Sequence, residues 1–215
     1  MNAKSLGLVK SFATQYDLDY RIVYAICMTE SQGHGVMHGK IIKRYEPHIY
    51  NGFVRVKNGQ RKKHPSLPGL ETNWIRKHTL TELKLLSTSL GIGQIMGWHY
   101  PSLGYESIGA MLKAWMDEEV QLKDMFRFIL VYRNGDFFKA LQRIDYIEIA
   151  KMWNGPGYKK NNYDVKLKKE YDSMPQIVFK EPEPLPPEPF KPKMTFFESF
   201  KEMVSNVWDN FWYDT

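Results

Sequence analysis

The chain has one cysteine in 215 residues, so no internal disulfide can form and nothing points to folding in an oxidising compartment. That residue, Cys27, lies in an apolar run and reads as a small core side chain. Also missing is an N-terminal apolar stretch long enough for a secretory signal, and no run reaches bilayer-spanning length. The expectation is a soluble chain made in the cytoplasm, which another agent must deliver if it works beyond the membrane. Six histidines occur, but none has metal-site spacing. His34 and His38 are four apart, and Gly33, Gly35 and Gly39 argue against the helix that would align such a pair. No metal and no cofactor are expected, and there is no internal repeat.

What is present in quantity is apolar and basic. An apolar content of 43%, with 14% aromatic, is enough for one sizeable core. The net charge of +6 is unevenly spread: from Glu181 onward three Lys face seven Asp and Glu, leaving that tail at −4 and the body before it at +10. A basic body suits a polyanion such as nucleic acid, anionic lipid or a bacterial envelope rich in phosphate and carboxylate. The Lys and Arg residues follow no recognisable reading helix, which argues against nucleic acid.

Apolar spacing predicts a helix over 3–14 through Leu6, Val9 and Phe12, and a second over 20–30 through Ile22, Val23, Ile26 and Cys27. Asp17 or Asp19 would cap the second and Gly33 would stop it. Residues 36–80 read as a loop-rich lobe with β-prone pieces (KIIKRY, GFVRV) and a small hairpin. Helical texture returns from Glu82 in short stretches, LLSTSLGIGQIM, ESIGAMLKAWM, EEVQLKDMFRFILVYR, DFFKALQR and DYIEIAKMW. The fold expected is mainly α, an α+β helical globule with one small irregular β/loop lobe.

Composition changes at FKEPEPLPPEPFKPK, which reads as an extended Pro-rich spacer. After it, Phe196, Phe200, Val204, Val207, Trp208, Phe211 and Trp212 recur at helical spacing. The predicted organisation is a globular domain over 1–178, a linker over 179–193 and an amphipathic helix over 194–215. An acidic helix is poorly matched to anionic lipid, so docking to a protein or particle is favoured for it over membrane contact.

Four stretches set polar or glycine residues beside apolar helix: TES around Glu30, RYEPHIY around Glu46, SLGIGQIM around Gln94, and WNGPGY from Trp153 to Tyr158. Each alone has an ordinary explanation as a solvated charge, a close helix contact or a turn. Glu30 stands out because the helix dipole disfavours a carboxylate in a last turn. In this order the stretches resemble the lysozyme-like superfamily of goose-type lysozymes and soluble lytic transglycosylases. The resemblance is closer to the N-acetylmuramidase domain of phage endolysins and related bacterial hydrolases. It runs from about residue 3 to 172, and WNGPGYKKNNYDVKLKKEY is its most specific segment. Ser89-Leu90 and Trp153 depart from the Trp and Tyr of that pattern, and residues 52–79 do not align with it.

The resemblance implies a peptidoglycan glycosidase that cuts the β-1,4 bond between N-acetylmuramic acid and N-acetylglucosamine, acting in the periplasm or cell wall as an endolysin or virion-borne lysin. Such cleavage needs an acid to protonate the leaving oxygen. A carboxyl near Ile95, Met96 and Trp153 loses hydration and gains pKa, which makes Glu30 the expected acid. Glu46 matches the family's second glutamate and is the candidate base or electrostatic stabiliser. Without such a base the sugar's 6-hydroxyl would attack, giving the 1,6-anhydro product of a lytic transglycosylase. A third alternative is a glycan-binding adaptor without activity. Gln94, Asn154, Tyr158, Trp153 and Met96 are the expected substrate-binding residues, while Tyr163 and Asp164 read as braces for the last helix of the domain.

Overall fold

The computed structural model describes residues 1–67 and 69–175. Both the Pro-rich linker and the helix expected over 194–215 lie outside the described residues. Within Met1–Pro175 the chain forms one compact unit.

Helix α1 (Ala3–Gln15) starts where the Asn2 side chain accepts the Ser5 N–H at 2.8 Å, and it buries Val9 and Phe12. Helix α2 (Tyr20–Ser31) starts at Asp19, which accepts the Arg21 N–H. Asp17, the other possible cap, takes a left-handed φ of 52°. The stop comes one residue before the expected glycine: Gln32 closes α2 at φ 56°, and the Gly33 N–H then bonds back to the Cys27 carbonyl at 3.0 Å. Ile22, Val23, Ile26 and Cys27 are fully buried, and burial pushes the Cys27 thiol up to about 12, so it is inert packing.

The lobe that follows is more helical than its sequence reading, with α3 and α4 where loop and β-prone pieces were expected. A hairpin of β1 (Val36–Met37) and β2 (Lys40–Ile41) leads into β3 (Lys43–Tyr45), as KIIKRY predicted. GFVRV, however, belongs to helix α3 (Pro47–Lys57). Pro47 is preset for a first helical turn, and Ile49, Phe53 and Val56 recur at helical spacing, all buried. Helix α4 (Thr72–Lys77) and helix α5 (Leu80–Leu86) complete the lobe, the latter opened by a reciprocal Thr79–Glu82 capping box.

LLSTSLGIGQIM is helical only to Leu86. The Ser87 and Thr88 hydroxyls donate to the Leu83 and Lys84 carbonyls at 2.6 and 2.8 Å, drawing the chain out of the helix. Strands β4 (Thr88–Leu90) and β5 (Ile95–Met96) then form a hairpin, and β4 also pairs with β3, so the sheet order is β3-β4-β5. The remaining helices are α6 (Ile108–Ala114), α7 (Glu118–Val131), α8 (Asp136–Gln142), α9 (Tyr146–Trp153) and α10 (Tyr163–Asp172).

Helix α10 runs antiparallel to α2. Near its end, the Tyr171 hydroxyl donates to Asp19 and accepts from Arg21, both at 2.7 Å, while Arg21 grips Asp19. Near its start, Tyr163 reaches the far end of α2. The long helix α7 fills the centre with Leu122, Met125 and Ile129. Its buried Asp124 accepts from the Trp115 indole at 2.8 Å and the Tyr105 hydroxyl at 2.5 Å, which satisfies a carboxylate that burial would otherwise penalise.

Candidate active site

Glu30 occupies the last turn of α2, half-buried. Its Oε1 accepts the Tyr163 hydroxyl proton at 2.7 Å. Lost hydration dominates its energetics and pushes the carboxyl up to about 7 from an ordinary 4.5, against the opposing pull of Tyr163, the Arg44 guanidinium and the Trp153 indole. Tyr163 itself stays a protonated donor, because burial and then the neighbouring Glu30 charge raise its pKa well above the usual value.

Ser31, the next residue, fixes the end of this helix. Its hydroxyl lies 2.8 Å from the Ile92 carbonyl and 3.1 Å from that of Cys27. The TES stretch therefore pairs an acid with the residue that anchors it to the β4–β5 turn.

Glu46 is the N-cap residue of α3, but its side chain does not cap. Instead Oε1 accepts from Arg44 Nε at 2.8 Å, with His48 at 3.7 Å from Oε2. Arg44 projects from β3 and acts electrostatically on both Glu30 and Tyr163. One guanidinium thus connects the two sequence-predicted carboxyls.

The other expected residues divide into two groups. Trp153, at the end of α9, stands beside Glu30 and stacks on Phe137 at 4.9 Å, with Phe128 edge-on at 5.8 Å. Behind it His99 packs on Phe128 at 4.7 Å, and burial lowers its pKa to about 4, so this wall stays uncharged. Asn154 follows Trp153, half-buried, with no side-chain hydrogen bond among the described residues. Gln94 and Met96 belong to the β4–β5 hairpin. Gln94 spends its amide there, donating to the Gly91 carbonyl at 2.8 Å and accepting from Ser89 at 2.9 Å. Met96 is half-buried opposite Ser89. Tyr158 is only 4% exposed, inside the connection between α9 and α10.

Arg44 and two other contributors escaped the sequence reading. Tyr163 looked like a brace for α10 but carries the hydrogen bond to the acid, and only its place in the NNYD run marked it. Gln121 sits in the first turn of α7, where an isolated amide gives no signal. It is buried, accepts the Ile92 N–H at 2.8 Å and donates to the Trp115 carbonyl at 2.5 Å. A Cβ on Gly91 would lie 2.4 Å from its Oε1, which is why SLGIGQ needs glycine there.

Among the described residues, no group of three His, Cys, Asp or Glu is placed to hold a metal ion, and no helix is long and apolar enough to cross a membrane.

Residues 81–175 match the N-acetylmuramidase family, a span that includes the hairpin, Trp153 and Tyr163 and begins after both carboxyls. The crystal structure of the Burkholderia AP3 phage endolysin is similar to the chain at 27% identity and a TM-score of 0.58, over 78% of this chain and 69% of that one. No curated protein matches the chain.

Proposed function

We propose, from the premise that this chain belongs to the N-acetylmuramidase family of lysozyme-type glycoside hydrolases, that it cleaves the β-1,4 muramyl bond of peptidoglycan with Glu30 as general acid. One observation carries the assignment: the Glu30 carboxyl is desolvated to a pKa of about 7 while remaining accessible. It therefore holds a proton near neutral pH and can release it as the leaving oxygen gains charge.

Glu46 is the second carboxyl, acting as base toward water or as stabiliser of the oxocarbenium-like transition state. Arg44 aims it through the Nε–Oε1 contact. Trp153 and Met96 supply apolar wall, Asn154 offers its free amide to the sugar's N-acetyl group, and Tyr158 backs the connection that carries Asn154. Gln94 acts through the hairpin whose shape it maintains. The catalytic unit spans 1–178, and residues 194–215, whose apolar spacing reads as a helix, dock the enzyme to a protein or particle, in an endolysin or a virion-associated lysin.

Digestion of purified sacculi followed by mass spectrometry tests the reaction type. Reducing muropeptides are expected. Products lighter by one water would make the enzyme a lytic transglycosylase, and intact sacculi with retained binding would make it an adaptor.

Glu46→Gln removes the base while leaving an acceptor for Arg44. Turnover is expected to fall by about 100-fold, the usual scale for one acid–base partner, with thermal stability little changed. Retained wild-type turnover would remove Glu46 from the mechanism.

Tyr163→Phe deletes a hydrogen bond that favours ionised Glu30. The carboxyl pKa must then rise, and because the protonated form is the active one, the alkaline limb of the pH–rate profile moves upward by about one unit. An unchanged or lowered limb would contradict the role given to this hydrogen bond.

A further inference from the structure

The lobe that begins at Glu46 carries a concentration of charge that the cleavage chemistry does not use. Between residues 55 and 77 there are seven Lys and Arg and one acid, Glu71. Arg55, Arg61, Lys62, Lys63, Arg76 and Lys77 are all exposed, and none forms an ion pair among the described residues. The seventh cation, Lys57, is structural: its ammonium donates to the carbonyls of Arg76 and His78 at 2.9 and 2.6 Å, tying the end of α4 to α3.

The surface is built, not loose. Buried His64 accepts the Ser66 N–H on Nδ1, so its Nε2 carries the proton it donates to the Ile49 carbonyl at 2.8 Å. This pins the Arg61–Lys63 turn against α3. Gly52 makes room for that ring, since a Cβ there would sit 2.2 Å from Nε2. Self-repulsion among unpaired cations destabilises a compact fold, and a rigid scaffold that keeps them together favours an anionic partner.

We propose that this cationic lobe binds the carboxylates of the stem peptides on the peptidoglycan strand under attack, selecting peptide-bearing wall over bare glycan. The proposal rests on the reading of peptidoglycan as substrate. Helix α3 starts at Glu46 and its eleven residues extend for about 16 Å. A five-residue stem peptide, fully extended, spans at most about 17 Å. The Arg61 N–H bonds the Arg55 carbonyl at 3.1 Å and His64 bonds that of Ile49, so the Arg61–Lys63 turn runs back along α3, and a peptide leaving a sugar bound beside Glu46 passes this turn before it reaches Arg55. A bilayer fits less well, because none of the exposed large apolar side chains falls between 55 and 77, and interfacial binding draws on such anchors. Nucleic acid fits less well too, since Trp74 is half-buried against His78 at 4.4 Å and offers no open stacking face.

The test is co-sedimentation with four preparations: native sacculi, sacculi whose carboxylates have been converted to amides, glycan strands stripped of peptide by an amidase with the freed lactyl carboxylates then amidated, and vesicles of anionic phospholipid. The triple variant Arg61→Gln/Lys62→Gln/Lys63→Gln is compared with wild type in the full chain, after melting curves confirm equal folding. Its apparent Kd on native sacculi is expected to rise about tenfold, the sum of three exposed charge contacts, and wild-type binding to steepen in salt dependence relative to the variant. On amidated sacculi and on bare strands the two proteins bind alike. Equal binding to native sacculi overturns the proposal, as does an equal loss on bare strands. A loss seen only with anionic phospholipid vesicles also overturns it, and assigns the surface to a bilayer. Because binding is read without turnover, the absence of released reducing ends from wild type counts against the proposed activity and not against this surface.

Discussion

Glu30→Gln is expected to lower the rate of glycan cleavage by about 1,000-fold or more, while making the folded protein more stable above neutral pH. The rate loss follows from the general-acid role proposed for Glu30, since such a proton is worth about 100- to 10,000-fold. The gain in stability follows from the same burial. Ionising Glu30 costs the folded state more than the unfolded one, since the folded pKa is about 7 against an ordinary 4.5. Stability is therefore fully present below pH 4.5 and falls as pH rises toward 7, by about 3 kcal/mol in total. Glutamine keeps the shape and cannot ionise, so the variant should melt higher than wild type at pH 8 and alike at pH 4.5. Activity is checked by release of reducing ends from sacculi, stability by thermal unfolding at both pH values. Wild-type activity in the variant would end the assignment of the acid, and identical melting at pH 8 would show that the carboxyl is not strained by burial.

Gly91→Ala should destabilise the fold by about 3 kcal/mol. Gly91 sits at φ +70°, a conformation that penalises any Cβ, and the new methyl would press on Gln121, whose amide already bonds the Ile92 N–H and the Trp115 carbonyl. The left-handed conformation costs about 1–2 kcal/mol and overpacking about 1–3 kcal/mol. Because the Gly91–Gln94 turn is where Ser31 ties down the acid's helix, activity at low temperature should fall along with stability. Denaturant unfolding measures the first and turnover the second. A loss below 1 kcal/mol would mean that the turn yields freely and does not hold α2.

The helices were legible where apolar spacing was long and clean, as in α2 and α7. GFVRV misled because its β-branched residues favour strands by propensity, whereas burial of Phe53 and Val56 on one face of α3 decided the outcome. LLSTSLGIGQIM misled in the opposite direction, because hydroxyls that bond backward to carbonyls end a helix without a proline or glycine to announce it. At the site, Glu30 was visible as a carboxylate at the unfavourable end of a helix. Tyr163 and Arg44 were not, since their roles depend on α10 folding back along α2 and on β3 standing beside both. Gln121 was beyond reach for the same reason: its partners lie in loops brought to it only by the fold.

The antiparallel seating of α10 on α2 has a mechanical consequence. Asp19, Arg21 and Tyr171 grip one end of α2, and Tyr163 meets Glu30 at the other, across a rise of about 16 Å. A rod clamped at both ends does not pivot, so the Glu30 carboxyl keeps its direction. Loosening the distant clamp, as with Tyr171→Phe, would leave α2 a cantilever fixed at its Glu30 end by Tyr163 and Ser31, with its N-terminus as the free tip.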